Sequence, residues 1–441
     1  MQKQEEAKLV LKYGIITYAD RPVKTGNSNK PNLGDPIQTY AMRYVYQQMG
    51  IKPEELVEVS RYWAKSYDGD YVLLPFNCFN MIWNQFGRPY GTLPLSEKIL
   101  PVFISFHLHS RVWNEEILDN FRRFEPVGCR DEETLRNMRN HGIHAYLSGC
   151  VTAVLPRRKQ TPKKKKVFFV DIPESLKDFI PKELLDVGEF VTHQPSFCHE
   201  GDGDVMTKEE YQRFYENGVK QLERYRDEAT LVVTSRLHAA TPCMAMGIPV
   251  VLVSERFDQR FSFLDRYLPF YTPDNYSEID WNPMPVEYEE EKEMILEMFI
   301  KQIKKKYTEY KDIYSVSDFY EHRTKYCYNE SFKTAILQLR KQKGANVRYA
   351  VWGITSQTLQ LIHVIQDICP EWEYVFSIDR KVTGTFEGKK VISSDDIRNE
   401  DSDVLYFIVP KVAHKVAGEV LSALNCHYVL INDIEFDTAN V

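Results

Sequence analysis

Short apolar runs alternate with amphipathic stretches along almost the whole chain, the pattern of α/β units built around mostly parallel sheets. Residues 13–18, Tyr-Gly-Ile-Ile-Thr-Tyr, open as a strand. A polar loop over 21–31 leads through Asn32-Leu-Gly-Asp35 into a helical pattern over 37–49, which Gly50 ends. Further strands are predicted at 71–75, 102–106, 126–129 and 144–148, and a helix at 131–140 with Gly142 just beyond it. The clearest composition shift is the run Lys163-Lys-Lys-Lys166 before the apolar Val167-Phe-Phe-Val. A solvated charge run beside a sticky strand explains it; contact with an anionic lipid surface is the alternative. A second α/β unit follows, with a strand at 230–234, a helix at 235–246 and a strand at 247–253.

From 287 to 314 the pattern turns strongly helical. Ile295, Met298, Phe299, Ile303, Tyr307 and Tyr310 share one face, with Lys301, Lys304, Lys305 and Lys306 on the other. Packing across a domain is the expected use of that face, and a basic membrane-surface helix the alternative. The last stretch reads as a small Rossmann-like α/β domain. Its strand at 348–353 enters a tight turn, a helix runs through Ile368, and a strand at 374–378 ends at Asp379, where a Rossmann acid would sit. Gly353-Ile-Thr-Ser-Gln-Thr358 keeps only the first glycine of the dinucleotide fingerprint. Without the second, a pyrophosphate cannot approach the backbone, so the expectation is the fold without the cofactor. The predicted organisation is an N-terminal lobe over 1–160, a second lobe over 161–345 and an accessory domain over 346–441.

Length agrees with that division, since 441 residues suggest about three domains at ~150 residues each. With 43% hydrophobic and 27% charged residues the chain is neither disordered nor collagen-like. A net charge of -7 supplies no basic field for a phosphate backbone, which argues against a nucleic-acid partner. No apolar run approaches the ~20 residues a membrane span needs. The N-terminal residues are too polar and acidic for a secretory signal. Eight cysteines lie far apart with no C-x-x-C pair, against zinc ribbons and disulfide scaffolds and in keeping with reduced thiols. The expected location is cytoplasmic.

The most informative segment is 231–253. An apolar strand runs into Ser235, a good N-cap, and then into a helix of small residues that Gly247 ends. Arg236 and His238 thereby fall in the first helical turn, where cations work against the helix dipole. They make sense if an anion docks there on backbone N–H groups and Arg236. The competing explanation pairs them with nearby acids. Asp35, following Gly34 at a strand-to-helix turn, is a candidate base or hydroxyl ligand, or simply a helix N-cap or first-turn acid. His107 and His109 alternate along a strand and share one side of it; no carboxylate or third histidine stands at helpful spacing, so no metal is expected. His193 is a weaker candidate in a loop. The aromatic run 76–86, with Phe79 and Trp83, suits either core packing or stacking on a sugar face. A serine-hydrolase elbow, a Walker loop and H-E-x-x-H are all missing.

Ser235-Arg-Leu-His-Ala-Ala with Gly247-Ile-Pro-Val-Val resembles the signature of the polysaccharide pyruvyl transferase family. Asn32-Leu-Gly-Asp-Pro-Ile-Gln-Thr-Tyr-Ala41 resembles the family's N-terminal Gly-Asp motif. Val127-Gly-Cys-Arg-Asp-Glu-Glu-Thr134, with Ser148-Gly-Cys-Val-Thr after it, resembles the central Arg-Asp motif. The resemblance implies two Rossmann-like lobes in the glycosyltransferase B arrangement, with the site between them. It implies transfer of the pyruvyl group of phosphoenolpyruvate to a sugar, giving a pyruvate ketal, with no cofactor beyond that co-substrate. Arg130, Arg236 and His238 would contact the donor, helped by Ser235 and Leu237; His238, Asp35 and His107 would be the catalytic candidates. Asn32, Gly34 and Gln38 would face the acceptor, a galactose-like sugar of a surface polysaccharide (capsule or exopolysaccharide) or its lipid-linked oligosaccharide precursor. A lipid-linked acceptor would bring peripheral contact with the inner membrane face. A nucleotide-sugar glycosyltransferase of the same shape, or a non-catalytic component of polysaccharide assembly, are the competing functions. The C-terminal domain lies outside the resemblance, and the oligomeric state is not legible.

Overall fold

Near-continuous apolar runs become strands buried on both faces, as parallel sheets flanked by helices require. The computed structural model describes residues 9–22, 31–81, 93–109, 113, 115–197, 199–200, 205–323, 329–397, 403–432 and 435–440. Its contacts form two compact units: a larger one of Lys12–Tyr67 and Val72–Tyr307, and a smaller one of 9–11, Asp68–Tyr71 and the chain from Thr308 on. Residues 82–86 of the aromatic run, including Trp83, lie outside the described residues, as do the side chains of Phe79 and His109.

The larger unit begins with β1 (Lys12–Thr17), α1 (Gly34–Gln48), β2 (Leu56–Ser60), β3 (Val72–Phe76), β4 (Phe79–Met81), β5 (Ile99–Phe103) and β6 (His107–His109). It continues with α2 (Glu115–Arg122), β7 (Val127–Cys129), α3 (Glu132–Asn140) and β8 (Ala145–Leu147). Strands β2-β1-β3-β5 form a wholly parallel sheet. Helix α1 is seated on β1 by hydrogen bonds from Thr39 Oγ1 to the Ile16 carbonyl (2.9 Å) and from the Tyr46 hydroxyl to that of Gly14 (2.7 Å). The strand predicted at 102–106 lies at 99–103 instead. Ser105 adopts φ 53°, which interrupts the strand, and the break is held by Ser148 Oγ on the Ser105 N–H and Ser105 Oγ on the Val151 N–H, both at 2.8 Å. Phe106 then bridges to Cys129, bringing β6 beside β7.

The second sheet combines β9 (Val167–Val170), β10 (Gly188–Val191), β11 (Leu231–Thr234), β12 (Val250–Val253) and β13 (Phe270–Tyr271). Helices α4 (Lys182–Leu185), α5 (Lys208–Glu228) and α6 (Leu237–Ala245) lie between them, with α7 (Glu289–Tyr310) after them. All five strands are parallel, in the order β10-β9-β11-β12-β13. Val167, Phe169, Val233 and Val251 are central to its core. Helix α7 buries Phe299 and Ile303 and stacks Tyr307 on Tyr13 (centroids 4.2 Å apart), so its apolar face is used for packing. In both sheets the strand order reverses between the first strand and the third, which opens a crevice at their carboxyl ends. These crevices lie after β1 and β3 and after β9 and β11.

The smaller unit has α8 (Val316–Arg323), α9 (Asn329–Lys343), β14 (Arg348–Trp352), α10 (Ser356–Ile368), β15 (Glu373–Ile378), β16 (Thr385–Phe386), β17 (Lys389–Ile392), β18 (Val404–Ile408), α11 (His414–Ala423), β19 (His427–Asn432) and β20 (Glu435–Asn440). Its sheet runs β16-β17-β15-β14-β18-β19-β20, with antiparallel pairing at β16 and β20. The five parallel strands therefore follow the order 3-2-1-4-5, in keeping with the Rossmann-like α/β domain expected from the sequence. Among the described residues no helix is long and apolar enough to cross a membrane.

Candidate functional site

The start of α1 and the start of α6 meet. The ring of His238 lies so near Gly34 that a Cβ there would come within 2.6 Å of its Nδ1. Only glycine admits this approach, which explains the residue type in the Gly-Asp motif. Asn32 Oδ1 accepts the Gly34 N–H (3.0 Å), so Asn32 secures the turn. The Leu33 N–H reaches the His193 carbonyl (2.8 Å) and ties α1 to the loop after β10. His238 itself is kinked out of helical geometry (φ -86°, ψ 16°), and its buried Nε2 has no hydrogen-bond partner.

Ser235 does not cap α6. Its Oγ donates to the Asp171 carbonyl at the end of β9 (2.5 Å), and Arg236 occupies the N-cap position, with Leu237 opening the helix. The Arg236 side chain pairs with Asp171 Oδ2 through Nε (2.7 Å) and with Gln194 Oε1 through Nη2 (3.1 Å). Asp171 also accepts the His193 N–H (2.9 Å). Arg236 thus has the acidic partner that the competing explanation called for, and it is held rigidly across the reversal between β9 and β11.

From the first half of the unit come His107, Arg130 and Asp131. Arg130 is only 2% exposed, yet its Nε is buried without a hydrogen-bond partner, 3.8 Å from Asp131 Oδ2. The same carboxylate oxygen lies 2.5 Å from His107 Nδ1. Nearer β1, Gln38 Nε2 donates to the Tyr18 hydroxyl (3.0 Å), while the buried Gln38 Oε1 has no partner. Arg61 lies over the rings of Tyr18 (5.5 Å) and Tyr62 (5.2 Å). A cavity of about 700 Å³ opens at the carboxyl ends of β1 and β2, lined by Thr17, Asp20, Glu58, Ser60, Lys208 and Arg213 among others.

Charge and burial set the protonation states. His238 is held well below the ordinary imidazole range by burial, then by the positive charge of Arg130 and by His193 and Arg260. An imidazole lowered in this way is neutral at neutral pH and has no proton to give there as an acid. His107 is lowered by burial and by Arg130 and Arg260, although the bond to Asp131 opposes this. His193 is pushed down to about 4 by burial, with Asp171 opposing and Arg236 assisting. Asp35 moves the other way: burial raises its pKa, and Arg61, Arg21 and Arg130 only partly offset it. Burial would raise Asp131 too, but His107, Arg130 and the Thr134 N–H together leave it below the usual carboxylate range. The site therefore combines neutral imidazoles with permanent guanidinium charge, a setting suited to an anion.

Sequence reasoning missed four of these residues. Asp171 follows an apolar strand at a reversal point, and that position is its signal. Asp131 stands inside a motif already noticed. Arg61 and Arg260 carry no sequence signal, since short 3₁₀ segments bring them in. Among the described residues no group of three His, Cys, Asp or Glu side chains is arranged for a metal ion.

Among solved structures, an uncharacterized protein from Klebsiella pneumoniae subsp. pneumoniae is similar over 59% of this chain and 93% of its own, at 14% identity and a TM-score of 0.34. A metal-free periplasmic metal binding protein from Candidatus Liberibacter asiaticus covers 60% of this chain and 89% of its own, at 11% identity and a TM-score of 0.15. Both similarities are too low to carry an argument. No curated protein matches the chain. Residues 104–256, which hold His107, Arg130, Asp131, Asp171, His193, Arg236 and His238 but not the Gly-Asp motif, match the family model of the polysaccharide pyruvyl transferases.

Proposed function

We propose that this protein transfers the pyruvyl group of phosphoenolpyruvate to a pair of sugar hydroxyls, forming a pyruvate ketal. The observation that carries the reading is Arg130: a buried guanidinium whose Nε has no hydrogen-bond partner, and whose charge acts on His238, where Nε2 likewise has none. A buried cation without full hydrogen bonding is costly, and a carboxylate or phosphate ligand supplies what is missing. Phosphoenolpyruvate carries both groups. Arg130, His238 and the α6 N-terminus hold the donor, with Arg236 braced by Asp171 at its side.

The chemistry requires a proton on the donor's methylene carbon, addition of one hydroxyl to the neighbouring carbon, loss of phosphate, and addition of the second hydroxyl. One hydroxyl proton is replaced in the balance by that on the new methyl group, and the other leaves with phosphate. Asp35, whose pKa burial raises, suits the acid that delivers the methylene proton. Gln38 Oε1 is an acceptor suited to a sugar hydroxyl, and the cavity beside β1 and β2, which Asp20, Glu58, Ser60 and Arg213 help to line, suits the remainder of a glycan. The acceptor is a galactose-like sugar of a surface polysaccharide or of its lipid-linked precursor, met at the cytoplasmic membrane face.

The test is incubation with phosphoenolpyruvate and a panel of galactosides, following phosphate release and the ketal methyl signal by NMR. Phosphate release that depends on a galactoside and matches ketal formed supports the function. Consumption of UDP-sugars with phosphoenolpyruvate untouched would replace it with glycosyl transfer.

A further inference from the structure

Asp131 is fully buried, and its two oxygens have different tasks. Oδ1 accepts the Thr134 N–H and the Thr134 hydroxyl, both at 2.9 Å, which caps the start of α3. Oδ2 lies 2.5 Å from His107 Nδ1 and 3.8 Å from Arg130 Nε. The Thr134 hydroxyl accepts the Leu108 N–H (3.2 Å), so the strand that carries His107 is pinned to the same cap. A carboxylate facing Nδ1 fixes the proton there and the imidazole lone pair at Nε2. It also counters the charge of Arg130, the residue that holds the donor.

We propose that Asp131 is a positioning residue that holds His107 in the tautomer able to take the acceptor hydroxyl's proton, while tempering Arg130's hold on the donor anion. This rests on the pyruvyl-transfer reading. In the step it serves, the sugar O–H bond breaks, its proton passes to His107 Nε2, and the oxygen bonds to the donor's central carbon as the C=C π pair takes the proton of Asp35 at the methylene carbon. His107 later releases its proton to the departing phosphate, and the proton of the second hydroxyl restores Asp35. Asp131 touches neither substrate and acts through its two neighbours.

Asp131→Asn separates the two tasks. Asparagine caps helices as well as aspartate does, so α3 keeps its start. The Thr134 N–H and hydroxyl hold the amide oxygen on their side, which turns the amide NH₂ toward His107 Nδ1. His107 must then accept at Nδ1 and carry its proton on Nε2, the wrong tautomer for a base. The expected result is turnover reduced by ~10²–10⁴-fold, the range for loss of a general base. Phosphoenolpyruvate binding, read by calorimetry, is unchanged or tighter, because a negative charge beside Arg130 is gone. Long-range ¹⁵N–¹H NMR of the ring shows the His107 proton moving from Nδ1 to Nε2.

A merely structural role would weaken binding and turnover together. The assignment is overturned if Asp131→Asn turns over at the wild-type rate, if its donor binding weakens in step with turnover, or if the His107 proton stays on Nδ1. If the wild-type protein binds no phosphoenolpyruvate at all, it is the function that fails, and the NMR result still judges the His107–Asp131 pairing.

Discussion

At the carboxyl ends of β9 and β11, Asp171 and Arg236 face each other across a reversal in strand order, and His193 and His238 lie beside them. At the carboxyl ends of β14 and β18, the corresponding reversal in the smaller unit holds Gly353 and Pro410. A Cβ on Gly353, whose φ is 86°, would lie 2.3 Å from Pro410 Cγ, so the proline covers the turn that a pyrophosphate would need. Asp379, at the position of a ribose-binding acid, accepts the N–H groups of Ile354 (3.0 Å), Lys381 (2.8 Å) and Val382 (3.1 Å). Its carboxylate is committed to the backbone. Both crevices come from the same sheet logic, but one leaves a buried guanidinium Nε and an imidazole Nε2 without hydrogen-bond partners, whereas in the other the turn is covered by Pro410 and the acid is taken up by backbone N–H groups. Parallel-sheet topology supplies a place for a ligand, and the side chains decide whether a ligand belongs there.

Gly34→Ala breaks the active crevice most severely. The new methyl group meets His238 Nδ1 at 2.6 Å, and the ring must move. A displacement of about an ångström at a reacting centre costs ~10²-fold in rate. The overpacking also lowers stability by about 1–3 kcal/mol. Transfer assays and thermal unfolding check both effects, and wild-type transfer by this variant would detach the Gly-Asp motif from the site.

Acid sharpens the comparison through His193. Its pKa falls from 6.5 to about 4 on folding because the ring is buried neutral. Above pH 6.5 neither state is protonated and the full stability is present. As pH falls from 6.5 toward about 4, the unfolded chain takes up a proton that the folded one refuses, so stability declines. The slope from this group is at most about 1.4 kcal/mol per pH unit. His107 and His238, also lowered, act in the same direction. Urea unfolding of the larger unit at pH 7 and pH 5, wild type against His193→Gln, measures it; the variant is expected to show the shallower dependence.

Gly353→Ala has the smallest effect on the site and tests the other half of the comparison. Strain at a positive φ and the clash with Pro410 destabilise the smaller unit by about 1–3 kcal/mol. Phosphoenolpyruvate binding and transfer stay at wild-type levels. A loss of donor binding here would show that the C-terminal crevice takes part in holding the donor.

Much of this was legible in the chain. The 231–253 segment reads as strand, helix and strand, and the structure has β11, α6 and β12 there. The alternation of strands and helices in the C-terminal domain is read from its pattern, the order of its strands is seen only in the structure, and the missing second glycine agrees with a turn closed by Pro410. Other features depend on contacts that no local pattern encodes. The shift of a strand from 102–106 to 99–103 comes from Ser105, whose left-handed backbone is held by Ser148 and Val151. Ser235 reads as an N-cap until the end of β9 offers its carbonyl. The lowered pKa of His238 needs burial and the approach of Arg130, far away in sequence. Asp131 is visible as a motif residue, but its division between Thr134, His107 and Arg130 exists only in three dimensions.

The central claim is that Arg130 holds an anionic donor in the crevice shared by α1, α3 and α6. Calorimetric titration of phosphoenolpyruvate into the wild-type protein and into Arg130→Ala tests it without knowledge of the acceptor, with UDP-sugars as the comparison ligands. The account predicts saturable binding by the wild type, weakened by about 10–10²-fold or more in the variant, the scale of a lost charge-assisted contact. Equal binding by both proteins, or binding of a UDP-sugar with phosphoenolpyruvate inert, would contradict it.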